Sequence, residues 1–366
     1  MGTGNSPQFR DTDGRPGAVG ADGQKPLVAL IAGPTASGKS DAAVQLALAL
    51  EREGRRAVIV NADSAQVYAD LRVLSARPSV EEMHGLPHRL FGTWDGAEAC
   101  SAADWAKAAK REISAAHAEG AVPILVGGTG MYLQVLLDGI AEIPAIDPGI
   151  REDVRALPTP EAYRLLQIED PQRAAMLAPA DSQRIARALE VVRSTGATMG
   201  EWQTRNSGGI AGDITLAPLV LAPDRAWVYD RCDLRFEAML ENGALQEVEA
   251  LLVRNLSPDL PVMRAIGVRE IAGELRGDWQ RDETVARGTQ ATRNYAKRQS
   301  TWFRRQLPAD WPRMDPSSSG NDHSVAPHYF ATLFQQSLLT GWNLIHRKAS
   351  YPKGPASPPD AGPCHL

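Results

Sequence analysis

The sequence has few cysteines and no apolar run long enough to span a membrane. Its three cysteines, Cys100, Cys232 and Cys364, lie far apart, and their number and spacing match neither a disulfide framework nor a metal site. The first residues also lack the basic-then-apolar pattern of a signal peptide. We therefore expect a cytoplasmic protein with reduced thiols and no association with membranes.

The chain also lacks an excess of positive charge. Its formal net charge is −5, so any surface that binds nucleic acid must be local. Hydrophobic residues make up 43% and charged residues 23%, which is typical of globular proteins. A length of 366 residues favours two domains, and we expect the protein to act as a monomer.

The order of apolar segments predicts an α/β fold. Three short continuous apolar runs, at 27–33, 57–64 and 122–130, are typical of parallel strands that are covered on both faces. Helical spacing follows the first run, and residues 101–120 form a helical segment between the second and third runs. This alternation predicts a parallel sheet with helices on both faces.

Changes in these patterns predict the domain boundaries. Residues 1–24 are rich in Gly, Asp and Pro and predict a disordered tail. Nearly all of 141–204 has helical spacing, which predicts an all-helical domain inserted into a core of residues 25–140 and 205–315. Residues 316–366 predict a linker and an extra tail.

The second part of the core contains further elements. Strand character returns at 214–221, and helical stretches follow at 225–255 and 282–306. Within the tail, residues 325–346 contain enough aromatic residues and leucines for one amphipathic helix.

The strongest motif is GPTASGKS, which runs from Gly33 to Ser40 after the first predicted strand. It satisfies the whole P-loop pattern, in which backbone N–H groups and a helix N-terminus surround phosphate oxygens. Lys39 supplies a mobile cation, and Ser40 a hydroxyl suited to Mg²⁺. The motif predicts a P-loop NTPase-like core with a phosphate site; a glycine-rich turn without a ligand is the alternative. The predicted phosphate ligands on the loop are Gly33, Thr35, Ala36, Ser37, Gly38, Lys39 and Ser40.

The loop does not reveal which compound carries the phosphates. A nucleotide hydrolase normally adds a strand that ends in an acid that binds Mg²⁺, and Asp63 has that position. The same position suits a general base directed across the phosphates at an acceptor. The pattern alone leaves the base, the metal ligand and a structural carboxylate open.

A basic segment lies near the end of the predicted core. Residues 286–305 contain six basic and no acidic residues, interleaved with Tyr295, Trp302 and Phe303. This composition favours contact with a phosphate backbone, although a charged surface helix with inward aromatic residues has the same pattern.

Five further blocks accompany the phosphate loop: NADSAQVY, VGGTGMYL, DSQRIARALEV, RAIGVRE and ATRNYAKRQSTWFR. In this order they resemble the tRNA dimethylallyltransferase (tRNA isopentenyl-diphosphate transferase) family over residues 27–305. One departure is VLSARP at 73–78, where the family usually has IGTAKP. The resemblance implies transfer of a dimethylallyl group from dimethylallyl diphosphate to N6 of adenosine 37 of tRNA, beside the anticodon, with release of diphosphate.

The resemblance also implies roles in this reaction. An adenine amine is a poor nucleophile, so the enzyme must stabilise the departing diphosphate and hold the amine in line. Lys39, Arg235 and Mg²⁺ on Ser40 would bind the diphosphate. Asp63 would accept the N6 proton, and Thr129 would donate to a phosphate oxygen. A turn-stabilising hydroxyl for Thr129 and a solvated side chain for Arg235 are the alternatives.

The resemblance further implies a set of tRNA contacts. The predicted tRNA-binding residues are Asp63, Ser64, Ala65, Gln66, Thr129, Arg151, Gln183, Arg184, Arg187, Arg264, Arg269, Arg293, Lys297 and Arg298.

Two other function classes share parts of this pattern. A P-loop kinase for small molecules or nucleotides would bind and consume ATP and would not need the basic segment at 286–305. A non-catalytic RNA-binding protein with a vestigial loop would not need both Lys39 and Asp63. An assay of the purified protein with labelled dimethylallyl diphosphate or ATP, with and without tRNA, distinguishes the three classes.

Overall fold

The computed structural model describes residues 25–319, which form two compact units. The α/β unit comprises residues 25–137 and 210–319, and the helical unit comprises residues 138–209. The tails predicted at 1–24 and beyond 319, including the amphipathic helix at 325–346, lie outside the described residues. None of the helices within 25–319 is long and apolar enough to cross a membrane.

Strands and helices alternate along the α/β unit. The strands of both units are β1 (Leu27–Ala32), β2 (Ala57–Asn61), β3 (His88–Arg89), β4 (Val122–Gly127), β5 (Gly139–Ile140), β6 (Ser207–Gly208), β7 (Thr215–Leu221) and β8 (Arg313–Met314). The helices are α1 (Lys39–Arg52), α2 (Ala102–Ala118), α3 (Gly130–Asp138), α4 (Pro148–Ala156), α5 (Thr159–Glu169), α6 (Pro171–Met176), α7 (Ser182–Thr195), α8 (Met199–Gln203), α9 (Arg225–Glu241), α10 (Ala244–Val253), α11 (Val268–Arg276) and α12 (Arg281–Gln306). Short 3₁₀ helices occupy Pro261–Arg264 and Pro316–Ser319.

The α/β unit contains a parallel sheet with the order β3-β2-β4-β1-β7-β8. Alternate side chains of β1 enter different cores, because successive residues of a strand point to opposite faces. Val28 and Leu30 join one core with Trp105 of α2, whereas Ala29 and Ile31 join the other with Leu46 of α1. Helices therefore cover both faces, which confirms the predicted fold class.

The helical unit has its own core around α5 and α7. Leu166, Ile185 and Leu189 are fully buried within it. The elements within the predicted bounds 141–204 are all helices, and β5 and β6, just outside those bounds, form an antiparallel pair at the two ends of the unit. Gly139 has a φ of +82°, and a Cβ there would lie 2.0 Å from the carbonyl oxygen of Ser207, so this close pairing requires glycine.

Two further boundaries differ from the predictions. The stretch predicted as helical at 225–255 is two helices, α9 and α10, because Gly243 adopts a φ of +102° that ends one helix before the next begins. Residues 316–319, placed in a linker by their composition, form a 3₁₀ turn in which Ser317 Oγ accepts a hydrogen bond from the backbone N–H of Asp224 at 3.2 Å.

Candidate active site

Three adjacent strands bring the predicted reactive groups to one edge of the sheet. β1 continues into the phosphate loop, β2 ends just before Asp63, and β4 ends just before Thr129. The strands are parallel and lie in the order β2-β4-β1, so their carboxyl ends meet at the same edge. This is the edge at which open parallel sheets bind ligands.

The phosphate loop has the backbone conformation that its glycines predict. Gly38 caps α1 with a φ of +84°, and Ala36 also adopts a positive φ of +60°. The first N–H groups of α1 have no intrahelical acceptor, and they point out of a helix end that carries partial positive charge. The Ser37 hydroxyl is buried and has no hydrogen-bond partner within residues 25–319. The loop is therefore a cradle suited to an anion.

Two cations accompany the loop. The Lys39 side chain is buried, and its Nζ donates to the carbonyl oxygen of Pro34 at 3.3 Å. Burial lowers the pKa of Lys39 to about 8, Asp63 opposes this shift, and the positive charge of Arg235 adds to it. Burial also lowers the pKa of Arg235. Desolvated cations attract anions more strongly than solvated ones do. A bound phosphate would therefore offset the desolvation of the Lys39 and Arg235 charges.

Asp63 lies on a tight turn after β2. Its backbone N–H donates to Asn61 Oδ1 at 2.9 Å, and Asn61 Nδ2 donates to the carbonyl oxygens of Asp63 and Leu90 at 3.0 Å each. The carboxylate accepts at Oδ1 from the backbone N–H of Ala65 at 3.0 Å, and the residue is only 7% exposed. The turn therefore holds a buried carboxylate in one orientation.

Thr129 connects the ends of β2 and β4. Its Oγ1 accepts from the backbone N–H of Ser64 at 2.9 Å and donates to Ser64 Oγ at 3.1 Å. Burial and the negative charge of Asp63 raise the pKa of Tyr295 of α12, which keeps its phenol neutral. The hydroxyl that the sequence left open as a turn residue does hold a turn, at the centre of the site.

The two long helices of the α/β unit pack on the phosphate loop. Arg231 of α9 donates from Nε to the carbonyl oxygen of Ala36 at 2.9 Å. Gln299 of α12 accepts from the backbone N–H of Thr35 at 2.8 Å and donates to the carbonyl oxygen of Gly128 at 2.9 Å. The loop is thus held by side chains that lie more than 190 positions away in the sequence.

The predicted tRNA contacts of the α/β unit have different surroundings. Arg269, Lys297 and Arg298 are exposed. Arg264 forms an ion pair with Asp259. Arg293 forms a bidentate ion pair with Asp233, in which the Nε–Oδ1 distance is 2.7 Å.

Gln66 and Ala65, both predicted to bind tRNA, follow Asp63 in the chain. The amide nitrogen of Gln66 donates to the carbonyl oxygens of Ser75 and Ala76 at 3.0 Å each. Gln66 thus supports the loop at 73–78, where the sequence departs from the family pattern. Ala65 follows Asp63 in the turn and contributes its backbone N–H to the carboxylate.

The helical unit presents its predicted RNA contacts at its surface. Gln183, Arg184 and Arg187 of α7 are exposed, as is Arg151 of α4. Arg184 pairs with Asp181 at 3.5 Å, and Arg187 pairs with the buried Glu190 at 3.7 Å. These cations are accessible to solvent on a folded helical scaffold.

The sequence assigned no site role to Gln299, and Tyr295 was noted only as an aromatic residue of the basic segment at 286–305. Arg231 was a weaker candidate than Arg235, four residues along the same predicted helix. A signal for Gln299 existed, since it shares one face of α12 with the buried Ala296 and Phe303. A polar residue within a buried stripe needs polar partners, so its position indicates a specific role.

Among residues 25–319 there is no group of three His, Cys, Asp or Glu side chains that could hold a metal ion by itself. A magnesium site at a phosphate loop does not need one, because Mg²⁺ binds there through one or two protein oxygens, the phosphates and water. Ser40 in the first turn of α1 and the buried Asp63 supply such oxygens. The residues therefore fit the ion.

The parallel sheet, with a phosphate loop after its central strand β1, defines an α/β protein of the P-loop class. A family description of IPP transferases matches residues 66–306. The chain belongs to the IPP transferase family, as the sequence blocks predicted, and is therefore a transferase.

Individual relatives agree with this assignment. The chain is 67% identical over 293 residues to the tRNA dimethylallyltransferase of Erythrobacter litoralis, which covers 80% of this chain and 92% of that protein. It is 66% identical over 273 residues to the tRNA dimethylallyltransferase of Novosphingobium aromaticivorans, with 75% and 97% covered.

Solved structures show the same fold. The tRNA isopentenylpyrophosphate transferase of Bacillus halodurans has 28% identity and a TM-score of 0.60, over 87% of this chain and 100% of that one. A eukaryotic dimethylallyltransferase, solved while acting on tRNA, has 25% identity and a TM-score of 0.72, over 86% and 80%.

Proposed function

We propose that the chain transfers the dimethylallyl group of dimethylallyl diphosphate to N6 of adenosine 37 of tRNA, beside the anticodon, and releases diphosphate. The observation that carries the proposal is a buried carboxylate, Asp63, placed beside two desolvated cations, Lys39 and Arg235, at the phosphate loop. The names of the relatives support dimethylallyl transfer to tRNA.

The diphosphate cradle drives the departure of the leaving group. As the C1–O bond breaks, its electron pair goes to the diphosphate and positive charge develops on the allyl carbon. Lys39, Arg235 and the N–H groups at the start of α1 stabilise the growing negative charge, and they do so strongly because they are already oriented and partly desolvated.

Asp63 accepts the proton from the attacking amine. The N6 lone pair forms the new bond to C1, and the N6 proton moves to the carboxylate. The bond from the Ala65 N–H holds Oδ1, so the carboxylate keeps one orientation while the reaction proceeds. The Thr129 hydroxyl donates a hydrogen bond to Ser64 Oγ, and in the reaction it donates this hydrogen bond to a phosphate oxygen instead.

Magnesium would be held by Ser40 together with the diphosphate and water, which leaves the Asp63 carboxylate free to act as the base. When bound, the ion would neutralise part of the diphosphate charge.

Exposed cations bind the RNA. Lys297 and Arg298 on α12, and Arg184 and Arg187 on α7, present charges that suit phosphate oxygens. Chemistry on a base requires it to leave the stack, and a single-stranded anticodon loop allows this. The free thiols of Cys100 and Cys232 support action in the reducing cytoplasm, and we propose that the protein acts there as a monomer.

The test follows two labels in the same purified protein. Dimethylallyl diphosphate labelled in the carbon chain and ATP labelled at the γ-phosphate are incubated separately, with and without tRNA. We expect label from the first substrate in tRNA and no phosphoryl transfer from the second. The Lys39→Met and Asp63→Asn variants should slow transfer by about a hundredfold or more, whereas Lys107→Met, at an exposed position on α2, should retain it.

Phosphoryl transfer from ATP without prenylation would overturn the proposal and identify a kinase. Binding of tRNA without turnover of either substrate would instead identify a binding protein. Prenyl transfer to an RNA whose only change is adenosine 37→guanosine would contradict the proposed target atom.

A further inference from the structure

Gln299 is a buried amide on the inner face of α12. It is 6% exposed, and both polar ends of its side chain have partners in different parts of the site. Oε1 accepts from the backbone N–H of Thr35 in the phosphate loop at 2.8 Å. Nε2 donates to the carbonyl oxygen of Gly128, just before Thr129, at 2.9 Å. One side chain therefore bridges the phosphate loop and the turn after β4.

The bridge packs closely against Gly128, where a side chain would displace the Gln299 amide. A Cβ on Gly128 would lie 2.2 Å from Gln299 Nε2 and 3.1 Å from the carbonyl oxygen of Gly33. The two segments also contact each other directly, since the backbone N–H of Gly33 donates to the carbonyl oxygen of Gly127 at 3.4 Å. That bond is long, so the Gln299 amide is the shorter connection between them.

The bridge also engages one of the predicted phosphate ligands. The backbone N–H of Thr35 is occupied by Gln299 and is directed at a side chain. The backbone N–H of Ser37 donates to the carbonyl oxygen of Pro34 at 3.3 Å. The first N–H groups of α1 have no intrahelical acceptor, and they are directed at the ligand. Gln299 thus helps to decide which N–H groups face the ligand.

We propose that Gln299 is a positioning residue, which holds the diphosphate cradle in register with Thr129 during transfer; this role rests on the proposed function. Glutamine suits the task because one neutral group accepts at one end and donates at the other. Glutamate could accept from Thr35 but would place a negative charge beside the diphosphate and oppose the Gly128 carbonyl. Lysine or arginine could not accept from Thr35 at all.

The test compares Gln299→Met, Gln299→Glu and the control Gln290→Met. Gln290 is an exposed residue of the same helix whose amide bonds only Asn294, at 3.0 Å. Binding of inorganic diphosphate is measured by calorimetry, and the KM values for dimethylallyl diphosphate and tRNA are measured separately. We expect Gln299→Met to weaken diphosphate binding about tenfold and Gln299→Glu about a hundredfold. Gln290→Met should match the wild type, and the KM for tRNA should change less than about twofold in all three.

A local readout separates positioning from general destabilisation. Hydrogen–deuterium exchange of the peptide that spans residues 33–38 should accelerate in Gln299→Met, while peptides from α5, in the core of the helical unit, should not change. Gly128→Ala should reproduce the weaker diphosphate binding, because its Cβ displaces the amide without altering it.

A folded Gln299→Met that binds diphosphate as the wild type does would overturn the proposal, and so would equal increases in both KM values. If Gln299→Met does not fold, Gln299→Glu and Gly128→Ala decide by the same binding measurement. Wild-type protein that binds diphosphate but transfers no prenyl group would contradict the proposed function. In that case the diphosphate measurement still tests whether Gln299 positions the loop.

Discussion

The two units place their functional side chains in opposite environments. In the α/β unit, Lys39 and Asp63 are less than one-tenth exposed, and burial shifts the pKa of Lys39. In the helical unit, Arg184 and Arg187 of α7 are exposed and pair with neighbouring carboxylates. The side chains of the α/β site are therefore shielded from water, whereas those of α7 are solvated.

This difference matches two kinds of work. A charge that must stabilise a short-lived charge in the reaction acts most strongly when water is excluded. A charge that binds a phosphate backbone replaces condensed counterions and acts from the surface. We therefore expect substitutions in the α/β site to reduce kcat, and substitutions on α7 to change the KM for tRNA and its salt dependence.

The largest effect should come from Asp63→Asn. Loss of the proton acceptor should lower kcat about a thousandfold, while an amide oxygen still accepts from Ala65 and preserves the turn. Single-turnover rates at saturating substrates measure the loss, with the exposed Asp310→Asn as the control. A loss below about tenfold would indicate that another group takes the proton.

Lys39→Met should rank second. It removes a buried cation from the diphosphate cradle and should lower kcat/KM for dimethylallyl diphosphate about a hundredfold. Steady-state kinetics measure this, and Lys107→Met is the matched control on an exposed helical position. An effect confined to the KM for tRNA would contradict a role in the cradle.

The pH dependence of diphosphate binding should show a smaller change. Because burial holds the pKa of Lys39 at about 8, the free protein loses this charge as the pH rises through that value. The Kd for dimethylallyl diphosphate should stay constant up to about pH 7.5 and rise toward tenfold per pH unit above about pH 8.5. Calorimetry checks this, and Lys39→Arg should remove the break because arginine stays protonated. A break that persists in Lys39→Arg would assign it to another group.

The smallest effect should come from the helical unit. Arg184→Ala should raise the KM for tRNA about threefold and reduce the slope of log binding against log salt by about one. Diphosphate binding should not change. Filter binding over a series of salt concentrations checks this against Arg56→Ala, an exposed arginine of the α/β unit that pairs with Glu119. A thousandfold loss of kcat in Arg184→Ala would remove the distinction between the units.

Much of the site could be predicted because its signals are local. GPTASGKS joins a buried strand to a helix, and the strand, the loop and the helix start are each determined by residues that are close neighbours in the sequence. Asp63 and Thr129 follow apolar runs that predict parallel strands, and parallel strands bring such ends to one edge. Local sequence patterns were therefore sufficient to predict that the phosphate loop, Asp63 and Thr129 lie at one edge of the sheet.

Other parts could not be predicted because they depend on partners far along the chain. Arg293 pairs with Asp233, and the Gln66 amide donates hydrogen bonds to the carbonyl oxygens of Ser75 and Ala76. These contacts form only when separate segments of the chain pack together. The division of 225–255 into α9 and α10 depended on a glycine whose positive φ the helical spacing did not reveal.

The phosphate loop and its flanking strand and helix follow from the amino-acid sequence, because eight neighbouring residues carry the whole arrangement. The bridge that Gln299 makes from Thr35 to Gly128 was decided by the tertiary structure alone. A buried amide must pair both its donor and its acceptor, and only the packing of α12 on the sheet edge determines which backbone groups lie within reach.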